Sequence, residues 1–176
     1  VRPLDITEHV LYFNRDNGYK VSEYYEGARN CRADDPSDMR KCMSLIRRVH
    51  QARLKVSHRF DIRERINFYE NLCQTHGGIP FEDYARVKQR MTELMDGLDR
   101  LGRPETLSHI DSVADNFLFL PDGSLRLIDW EYSGMCDPLI DVAMCCIYSY
   151  YNEEQTDWLI ETYLERMPDK DERLTV

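Results

Sequence analysis

The chain has 176 residues, of which 42% are hydrophobic, enough to build the core of one domain. Its formal net charge of -9 argues against the basic surface by which proteins bind nucleic acid. It is compatible with a cationic small molecule or simply with solubility. No apolar run approaches the roughly 20 residues that a membrane-spanning helix needs.

The cysteines predict a reducing, cytoplasmic environment. None forms a CxxC pair, and none is spaced with the histidines like the ligands of a zinc site. Several fall on apolar positions of predicted helices, where a reduced cysteine packs as a small hydrophobic side chain. The first ten residues, VRPLDITEHV, lack the apolar core of a signal peptide. The six cysteines are Cys31, Cys42, Cys73, Cys136, Cys145 and Cys146.

The first predicted element is a β-hairpin. Residues 10–13 and 19–25 are rich in strand-forming side chains, and Asn17-Gly18 between them favours a tight turn. A two-stranded ribbon is only marginally stable alone, so we expect it to belong to a larger sheet. Residues 26–28 end the pattern.

Three helices are predicted next, beginning near Pro36 and covering about 61–75 and 81–101. Gly77-Gly78 ends the second and Gly102 the third. Apolar residues spaced three or four apart mark the faces expected to point inward. They are Met39, Cys42, Met43, Ile46 and Val49 in the first helix, Ile62, Ile66, Tyr69 and Cys73 in the second, and Tyr84, Val87, Met91, Leu94, Leu98 and Leu101 in the third.

A second hairpin follows, with strands at 117–120 and 125–128 around a four-residue turn. If the strands pair across that turn, Leu120 lies opposite Leu125 and Asn116 lies opposite Asp129. Directly opposed side chains point to the same side of a sheet. An amide oxygen and a carboxylate would then meet at the open end of the hairpin, as hard ligands suited to Mg²⁺.

The chain ends with two further predicted helices and a polar tail. Residues 137–151 are nearly all apolar and predict a buried central helix, whereas 153–167 are amphipathic. The tail from 168 to 176 is polar and is expected to fray. Helices dominate, with short antiparallel strands, so the predicted fold class is α+β.

Asp111 adds a third polar group to the predicted metal site. It lies five residues before Asn116, and a loop of that length can bring its carboxylate near the same point. There it would accept a proton from a hydroxyl group or orient that group. The alternative is that Asp111 and Asp115 are turn residues and Asn116 a helix cap, but the whole set favours the catalytic interpretation.

These residues match the motifs of a known family. His109-x-Asp111-x-x-x-x-Asn116, then Ile128-Asp129-Trp130-Glu131-Tyr132, then Asp137-Pro138-x-x-Asp141-Val142-Ala143 resemble the choline kinase and aminoglycoside phosphotransferase families. The similarity is greatest to bacterial choline kinase-like proteins. It implies a protein-kinase-like fold, in which residues 1–28 are the last hairpin of the small lobe and the hinge, and 29–176 the mainly helical catalytic lobe.

The resemblance also implies a role for each matching residue. Asp111 corresponds to the catalytic aspartate, and Asn116 and Asp129 to the ligands of Mg²⁺. His109 corresponds to a residue that shapes the catalytic loop. A further aspartate, Asp141, either braces that loop through backbone amides or caps its helix. Backbone groups of Glu23 and Tyr25 correspond to the hinge positions that bind the adenine of ATP.

The sequence departs from the family pattern before the hinge. It has no glycine-rich phosphate loop, and Lys20 lies on the wrong strand to replace the family's phosphate-binding lysine. The expectation is therefore a fragment that lacks most of the nucleotide-binding lobe. Without the electrostatic clamp on the phosphates, such a fragment would be inactive or weakly active alone.

Trp130, Glu131 and Tyr132 are the predicted substrate contacts. A choline headgroup attracts aromatic faces, at about 0.5–2 kcal/mol per contact, and a carboxylate. Later aromatic residues such as Trp158 are more typical of the core. The alternatives are a kinase of an aminoglycoside, thiamine or a sugar, or a non-catalytic kinase-like binding module. The run from Asn152 to Glu161 has four acidic residues, which would suit an aminoglycoside but also a solvated helix face.

Overall fold

The computed structural model describes residues 4–176, which form six helices and seven short strands. The helices are α1 (Pro36–Gln51), α2 (Ile62–Thr75), α3 (Tyr84–Leu101), α4 (Leu139–Tyr148), α5 (Glu153–Leu164) and α6 (Lys170–Thr175). The strands are β1 (Val10–Phe13), β2 (Lys20–Ser22), β3 (Arg29–Asn30), β4 (Thr106–Ser108), β5 (Phe117–Phe119), β6 (Leu125–Leu127) and β7 (Gly134–Cys136). The architecture is α+β, as predicted.

The strands form three small antiparallel sheets. β1 pairs with β2, β5 lies between β3 and β6, and β4 pairs with β7. The first hairpin is therefore confirmed, and its apolar side chains are open to solvent, with Leu11 61% and Phe13 57% exposed. The two- and three-residue strands β3, β4 and β7 were not predicted, because segments so short gain their pairing only from the tertiary structure.

The predicted register of the second hairpin is wrong by one residue. Phe117 lies opposite Leu127 rather than Ile128. The cause is the loop, in which the Leu120 amide donates to the Ser124 carbonyl and Gly123 has φ 84°. A three-residue loop that ends in a left-handed glycine shifts the pairing by one position relative to a four-residue turn.

The core lies between α1, α4, α5 and the β3–β5–β6 sheet. Asp35 caps α1 by accepting a hydrogen bond from the Ser37 amide, and Pro36 occupies the first turn, where it costs no hydrogen bond. The predicted inward face of α1 is confirmed. Its residues are Met39, Cys42, Met43, Ile46 and Val49, all fully or nearly fully buried.

Helices α2 and α3 are formed as predicted, but neither contains a fully buried residue. The expectation that Val87 and Leu94 point inward is wrong, since they are 50% and 68% exposed. Ion pairs connect the two helices instead: Arg63 Nη2 lies 2.8 Å from Asp96 and 2.9 Å from Asp99. An apolar stripe of helical period indicates a face but does not determine what covers it.

The C-terminal region also differs from the prediction. The polar tail forms α6, where a capping box joins Asp169 and Glu172. Arg166 donates to the buried Glu172 at 2.5 Å, which fixes this helix to the preceding turn. The central helix α4 is shorter than predicted because it ends at Tyr148, and Tyr150 beyond it is exposed.

The segment before β1 belongs to the same core as the rest of the molecule. Ile6 is buried in the core cluster, and its carbonyl accepts the Leu127 amide at 2.7 Å. The Arg126 side chain reaches back to Asp5 at 2.6 Å. Among residues 4–176, no helix combines the length and the apolar character needed to cross a membrane.

A bidentate ion pair fastens β3 to α1. Both guanidinium nitrogens of Arg29 donate to the Asp38 carboxylate, at 2.6 and 2.8 Å, and the Arg32 amide adds a third hydrogen bond. Arg29 thereby lowers the pKa of Asp38 to about 2, against the opposing effect of burial.

We expect Asp38→Asn to lower the free energy of unfolding by about 1–2 kcal/mol at neutral pH, a value reduced because Arg29 is partly exposed. A lowered folded-state pKa contributes stability above the ordinary aspartate range, which is lost as pH falls toward about 2. Urea titrations at several pH values will measure both effects. Asp34→Asn, at an exposed neighbouring aspartate, is the control; equal losses in the two variants would contradict the argument.

Candidate active site

The loop after β4 brings Asp111 and Asn116 into direct contact. The Asn116 Nδ2 group donates to the Asp111 carbonyl at 2.7 Å and to Asp111 Oδ2 at 2.9 Å. A single 3₁₀ turn, Ala114–Asn116, returns the chain toward Asp111, and Asn30 on β3 holds that turn by donating to Asp115 at 3.1 Å. An amide and a carboxylate predicted from spacing alone therefore lie side by side.

Asp129 lies at the open end of the second hairpin, but not directly opposite Asn116. The Ile128 amide donates to the Asn116 carbonyl at 2.9 Å, so Ile128 is the opposed residue. Asp129 follows it with φ 66°, a left-handed conformation that turns the chain out of the strand. The charges of Asp129 and Asp111 both act to raise the pKa of the buried His109.

The side chains of Asn116 and Asp129 fit a hard divalent cation. Since the Asn116 amide nitrogen donates to Asp111, its Oδ1 remains as an acceptor, and within residues 4–176 no hydrogen bond engages it or the Asp129 carboxylate. In the same part of the chain, no three His, Cys, Asp or Glu side chains cluster as a metal site. A magnesium ion here would therefore take the amide oxygen, one carboxylate and oxygens from outside the protein.

Asp141, at the start of α4, binds the backbone of the loop of residues 109–116, which is the predicted catalytic loop. Its carboxylate accepts the backbone amides of His109 at 2.9 Å and Ile110 at 2.7 Å. Ile110 has φ 72°, a costly conformation for a β-branched residue, and lies directly before Asp111. The Ser112 hydroxyl donates to the Asp141 carbonyl at 2.6 Å, so the loop is fixed on both sides of Asp111.

The Asp141 side chain binds the loop and makes no hydrogen bond to the first turn of its own helix. That Asp141 braces the loop for catalysis stays a prediction. Burial tends to raise the pKa of Asp141, but the hydrogen bonds from the His50 side chain and the His109 backbone hold it below the ordinary value. The carboxylate is therefore anionic and stabilised by several donors.

His109 is buried beneath the loop and packs against Trp130. Its Nε2 lies 2.8 Å from the Ile128 carbonyl oxygen. Its ring packs edge-to-face against the indole, with 4.7 Å between the ring centroids. Burial lowers the pKa of His109, although the Asp141 charge acts in the opposite direction. A neutral imidazole that donates from Nε2 connects the catalytic loop to the end of the second hairpin, in keeping with a loop-shaping role.

The predicted substrate residues follow Asp129 in one turn. The Trp130 indole donates to the Leu127 carbonyl at 2.8 Å and is half-buried, whereas Glu131 and Tyr132 are exposed. The Glu131 charge raises the pKa of Tyr132, and Tyr69 of α2 adds to this effect. Helix α2 therefore contributes a second aromatic side chain near Tyr132. Substrate binding by these residues stays a prediction.

The backbone of residues 58–60 packs closely against residues 134–135, directly after this turn. The Met135 carbonyl accepts the Phe60 amide at 3.1 Å, and the Met135 amide donates to the His58 carbonyl at 3.1 Å. A Cβ atom on Gly134 would lie 2.9 Å from the Phe60 amide nitrogen. Only glycine fits at this position, because the obstructing atom belongs to the backbone.

Gly134→Ala should lower the free energy of unfolding by about 1–3 kcal/mol, since the backbone of residues 59–60 must move away from the turn. Thermal or urea unfolding will measure the loss. The control is Gly97→Ala in α3, where the nearest atom is 3.8 Å away and belongs to a flexible arginine. That change should be neutral or stabilise by up to about 1 kcal/mol; a larger loss at Gly97 than at Gly134 would refute the packing argument.

The hinge positions offer two free backbone groups. The Glu23 amide donates to the His9 carbonyl at 2.8 Å, and the Tyr25 carbonyl accepts the Ala28 amide at 3.2 Å. Among the described residues, no hydrogen bond uses the Glu23 carbonyl or the Tyr25 amide. One acceptor and one donor, two residues apart, are therefore open to a ligand.

Two residues in contact with the site were not foreseen. His50 of α1 and Tyr163 of α5 are buried and hydrogen-bonded to each other, and His50 also contacts Asp141. A signal for His50 was present, because it continues the apolar stripe of Met43 and Ile46 at helical spacing. A histidine on such a face needs a buried polar partner. The sequence carries no comparable signal for Tyr163.

The chain is similar in sequence to a known family and to curated proteins. The chain matches the phosphotransferase enzyme family over residues 8–171. Protein LicA from Haemophilus influenzae is 25% identical over 152 residues, which are 84% of this chain and 56% of that protein. A thiamine kinase from Salmonella heidelberg is 26% identical over 168 residues, covering 93% of this chain and 54% of the kinase.

The fold is also similar to a solved structure. Choline kinase LicA from Streptococcus pneumoniae superposes with a TM-score of 0.86 and 28% identity, over 98% of this chain and 62% of that one. The predicted protein-kinase-like α+β fold is thereby confirmed. The chain spans about half the length of the curated relatives it matches. By its sequence match and its fold, the chain belongs to the phosphotransferase enzyme family.

Proposed function

We propose that this chain is the catalytic lobe of an ATP-dependent kinase that phosphorylates the hydroxyl group of choline or a related amino alcohol. The observation that carries the proposal is the direct contact of Asp111 with Asn116 beside the end of the hairpin that bears Asp129. Residues 29–176 would form this lobe, and residues 1–28 the hinge and the last hairpin of the small lobe.

Asp111 is the residue proposed to position the attacking hydroxyl. The Asn116 amide holds Asp111 Oδ2 at 2.9 Å, which leaves Oδ1 to accept a hydrogen bond from the alcohol. The orientation is set by the fixed backbone on both sides of Asp111. As the alcohol oxygen bonds to the γ-phosphorus of ATP, the bond from that phosphorus to the bridging oxygen breaks and ADP leaves. The hydroxyl proton passes to the Asp111 carboxylate, a contribution typically worth about 10²–10⁴-fold in rate.

Asn116 Oδ1 and the Asp129 carboxylate would hold Mg²⁺. When bound, the ion neutralises charge on the phosphates of ATP. The protein's own contribution is orientation: Asp111 fixes which amide atom of Asn116 is the oxygen, and the Ile128–Asn116 pairing holds the two ligand positions together. The open carbonyl of Glu23 and amide of Tyr25 match the amine and ring nitrogen along one edge of adenine.

The residues that follow Asp129 support the proposal of a cationic substrate. Tyr132 and Tyr69 are exposed aromatic side chains, and Glu131, adjacent to Tyr132 in the sequence, adds a carboxylate. Thiamine is the second candidate, because thiamine kinases are among the relatives. Choline and thiamine both place a primary alcohol near a permanently cationic nitrogen, so one aromatic and acidic pocket would suit either.

The test is a substrate panel on the complete gene product that contains this chain. Magnesium-dependent ADP release is measured with choline, ethanolamine, thiamine and kanamycin. The proposal expects the highest kcat/KM with choline or ethanolamine. A higher value with thiamine would transfer the function to the second candidate. Binding of nucleotide without turnover of any alcohol would instead indicate a non-catalytic kinase-like module.

Asp129→Asn tests the metal role directly. We expect the Mg²⁺ concentration for half-maximal activity to rise by about tenfold or more, because a neutral amide replaces a charged ligand. Titration of activity with MgCl₂ at saturating ATP measures this, with Asp122→Asn in the exposed loop as the matched control. An unchanged magnesium requirement would remove Asp129 from the proposed ligand set.

A further inference from the structure

A chain of buried side chains connects α5 to the catalytic loop. The Tyr163 hydroxyl lies 2.8 Å from His50 Nδ1, and His50 Nε2 lies 3.0 Å from Asp141 Oδ2. Asp141 then accepts the amides of His109 and Ile110. The exposed fractions are 7% for Tyr163, 6% for His50 and zero for Asp141, so water does not compete for these hydrogen bonds.

With a neutral His50 ring, only one placement of its proton satisfies the hydrogen bonds to both Tyr163 and Asp141. His50 must carry its proton on Nε2 to donate to the Asp141 carboxylate, which leaves a lone pair on Nδ1. The Tyr163 hydroxyl supplies the donor for that lone pair. The opposite tautomer would direct the Nε2 lone pair at the carboxylate, which can only accept, so Asp141 selects the tautomer. The Tyr163 hydroxyl then donates to the Nδ1 lone pair and holds the ring in the orientation that binds Asp141.

The hydrogen bonds that start at Tyr163 end at the backbone directly before Asp111, and so affect the orientation of Asp111. Ile110 is held at φ 72°, and strained backbone persists only where surrounding contacts determine it. The hydrogen bond from the Ile110 amide to Asp141, at 2.7 Å, is such a contact. If Asp141 turns or loses a donor, the backbone at Ile110 can relax, and the Asp111 carboxylate directly after it changes direction.

We infer that His50 and Tyr163 are positioning residues for phosphoryl transfer, which act through Asp141 on the orientation of Asp111. Neither residue touches the substrate. The catalytic part of this inference rests on the proposed kinase function. The structural part, control of the loop amides by His50 and Tyr163, stands independently and has its own measurement.

The first experiment is steady-state kinetics of the complete gene product. His50→Leu should lower kcat by about 10- to 100-fold and Tyr163→Phe by about 3- to 10-fold, with KM for both substrates within about twofold of wild type. His50→Gln keeps an N–H for Asp141 and should recover most of the loss. The controls are His76→Leu and Tyr150→Phe, at exposed positions, and both should retain wild-type kcat.

The second experiment, amide hydrogen exchange on this chain, needs no activity. In Tyr163→Phe and His50→Leu, exchange at His109 and Ile110 should accelerate by about tenfold or more. The Leu127 amide, bound to Ile6 in the core, should keep its protection. If His50→Leu does not fold, Tyr163→Phe and His50→Gln provide the same comparison.

The outcomes separate the two proposals. Unchanged exchange at His109 and Ile110 in Tyr163→Phe overturns the inference, as does a rise in KM without a fall in kcat. A loss that His50→Gln does not recover overturns it as well. Wild-type protein without kinase activity, but with the expected change in exchange, refutes the proposed function and retains the structural control of the loop.

Discussion

Asp111→Ala lowers kcat by about 10²–10⁴-fold while leaving the fold intact, if this carboxylate positions and deprotonates the attacking alcohol. The expectation follows from three contacts near Asp111: the Asn116 amide on its Oδ2 and the hydrogen bonds of Ile110 and Ser112 to Asp141. The surrounding loop is therefore arranged for this one side chain. The measurement is kcat with the best alcohol of the substrate panel.

The matched control for this prediction is Asp115→Ala, in the same loop. Asp115 is exposed and accepts one hydrogen bond from Asn30, so its loss should change kcat by less than about threefold. Thermal melting of Asp111→Ala should lie near wild type, because the carboxylate is only half-buried. Near-normal turnover in Asp111→Ala, or equal losses in both variants, would contradict the assignment.

Asp141→Ala should lower the free energy of unfolding by about 3–5 kcal/mol, the largest stability effect we expect. The substitution leaves the amides of His109 and Ile110 and the His50 ring without their acceptor inside the protein. Buried donors without partners cost free energy at each site. Urea unfolding of this chain at neutral pH measures the loss, with Asp157→Ala, which breaks an ion pair to Arg173 at the surface, as the control.

The pH dependence has a definite sign at Asp141. Its folded-state pKa lies below the ordinary value, so it contributes stability above the ordinary aspartate range, which is lost as pH falls through the folded pKa. Asp141→Asn should therefore flatten the acid limb of the stability curve. An unchanged acid limb in that variant would show that the carboxylate is not anionic in the folded protein.

Local sequence signals predicted the elements that depend on local chemistry. Asn17-Gly18 marked the first hairpin, and Pro36 marked the start of α1. The spacing of Asp111 and Asn116 predicted that the two would lie close together, because a short loop restricts how far they can separate. Whether Asp111, Asn116 and Asp129 act as proposed stays a prediction.

What the sequence did not predict depends on partners distant in the chain. The predicted hairpin register was wrong because Gly123, in a left-handed conformation, closes a three-residue loop where a four-residue turn was expected. The contact of His50 with Asp141 joins residues 91 positions apart. Strand β3 exists because Arg29 and Asn30 meet β5, and two residues carry no periodicity of their own.

The exposure of helices α2 and α3 has a consequence for evolution. Since neither buries a side chain completely, substitutions along them should cost far less free energy than changes in α1 or α4. Yet α2 carries Tyr69 beside Tyr132, at the turn after Asp129. Substitutions in α2 and α3 can therefore change the surface offered to small molecules while the loop that holds Asp111 stays unchanged. Selectivity can then diverge among related proteins with little loss of folding stability.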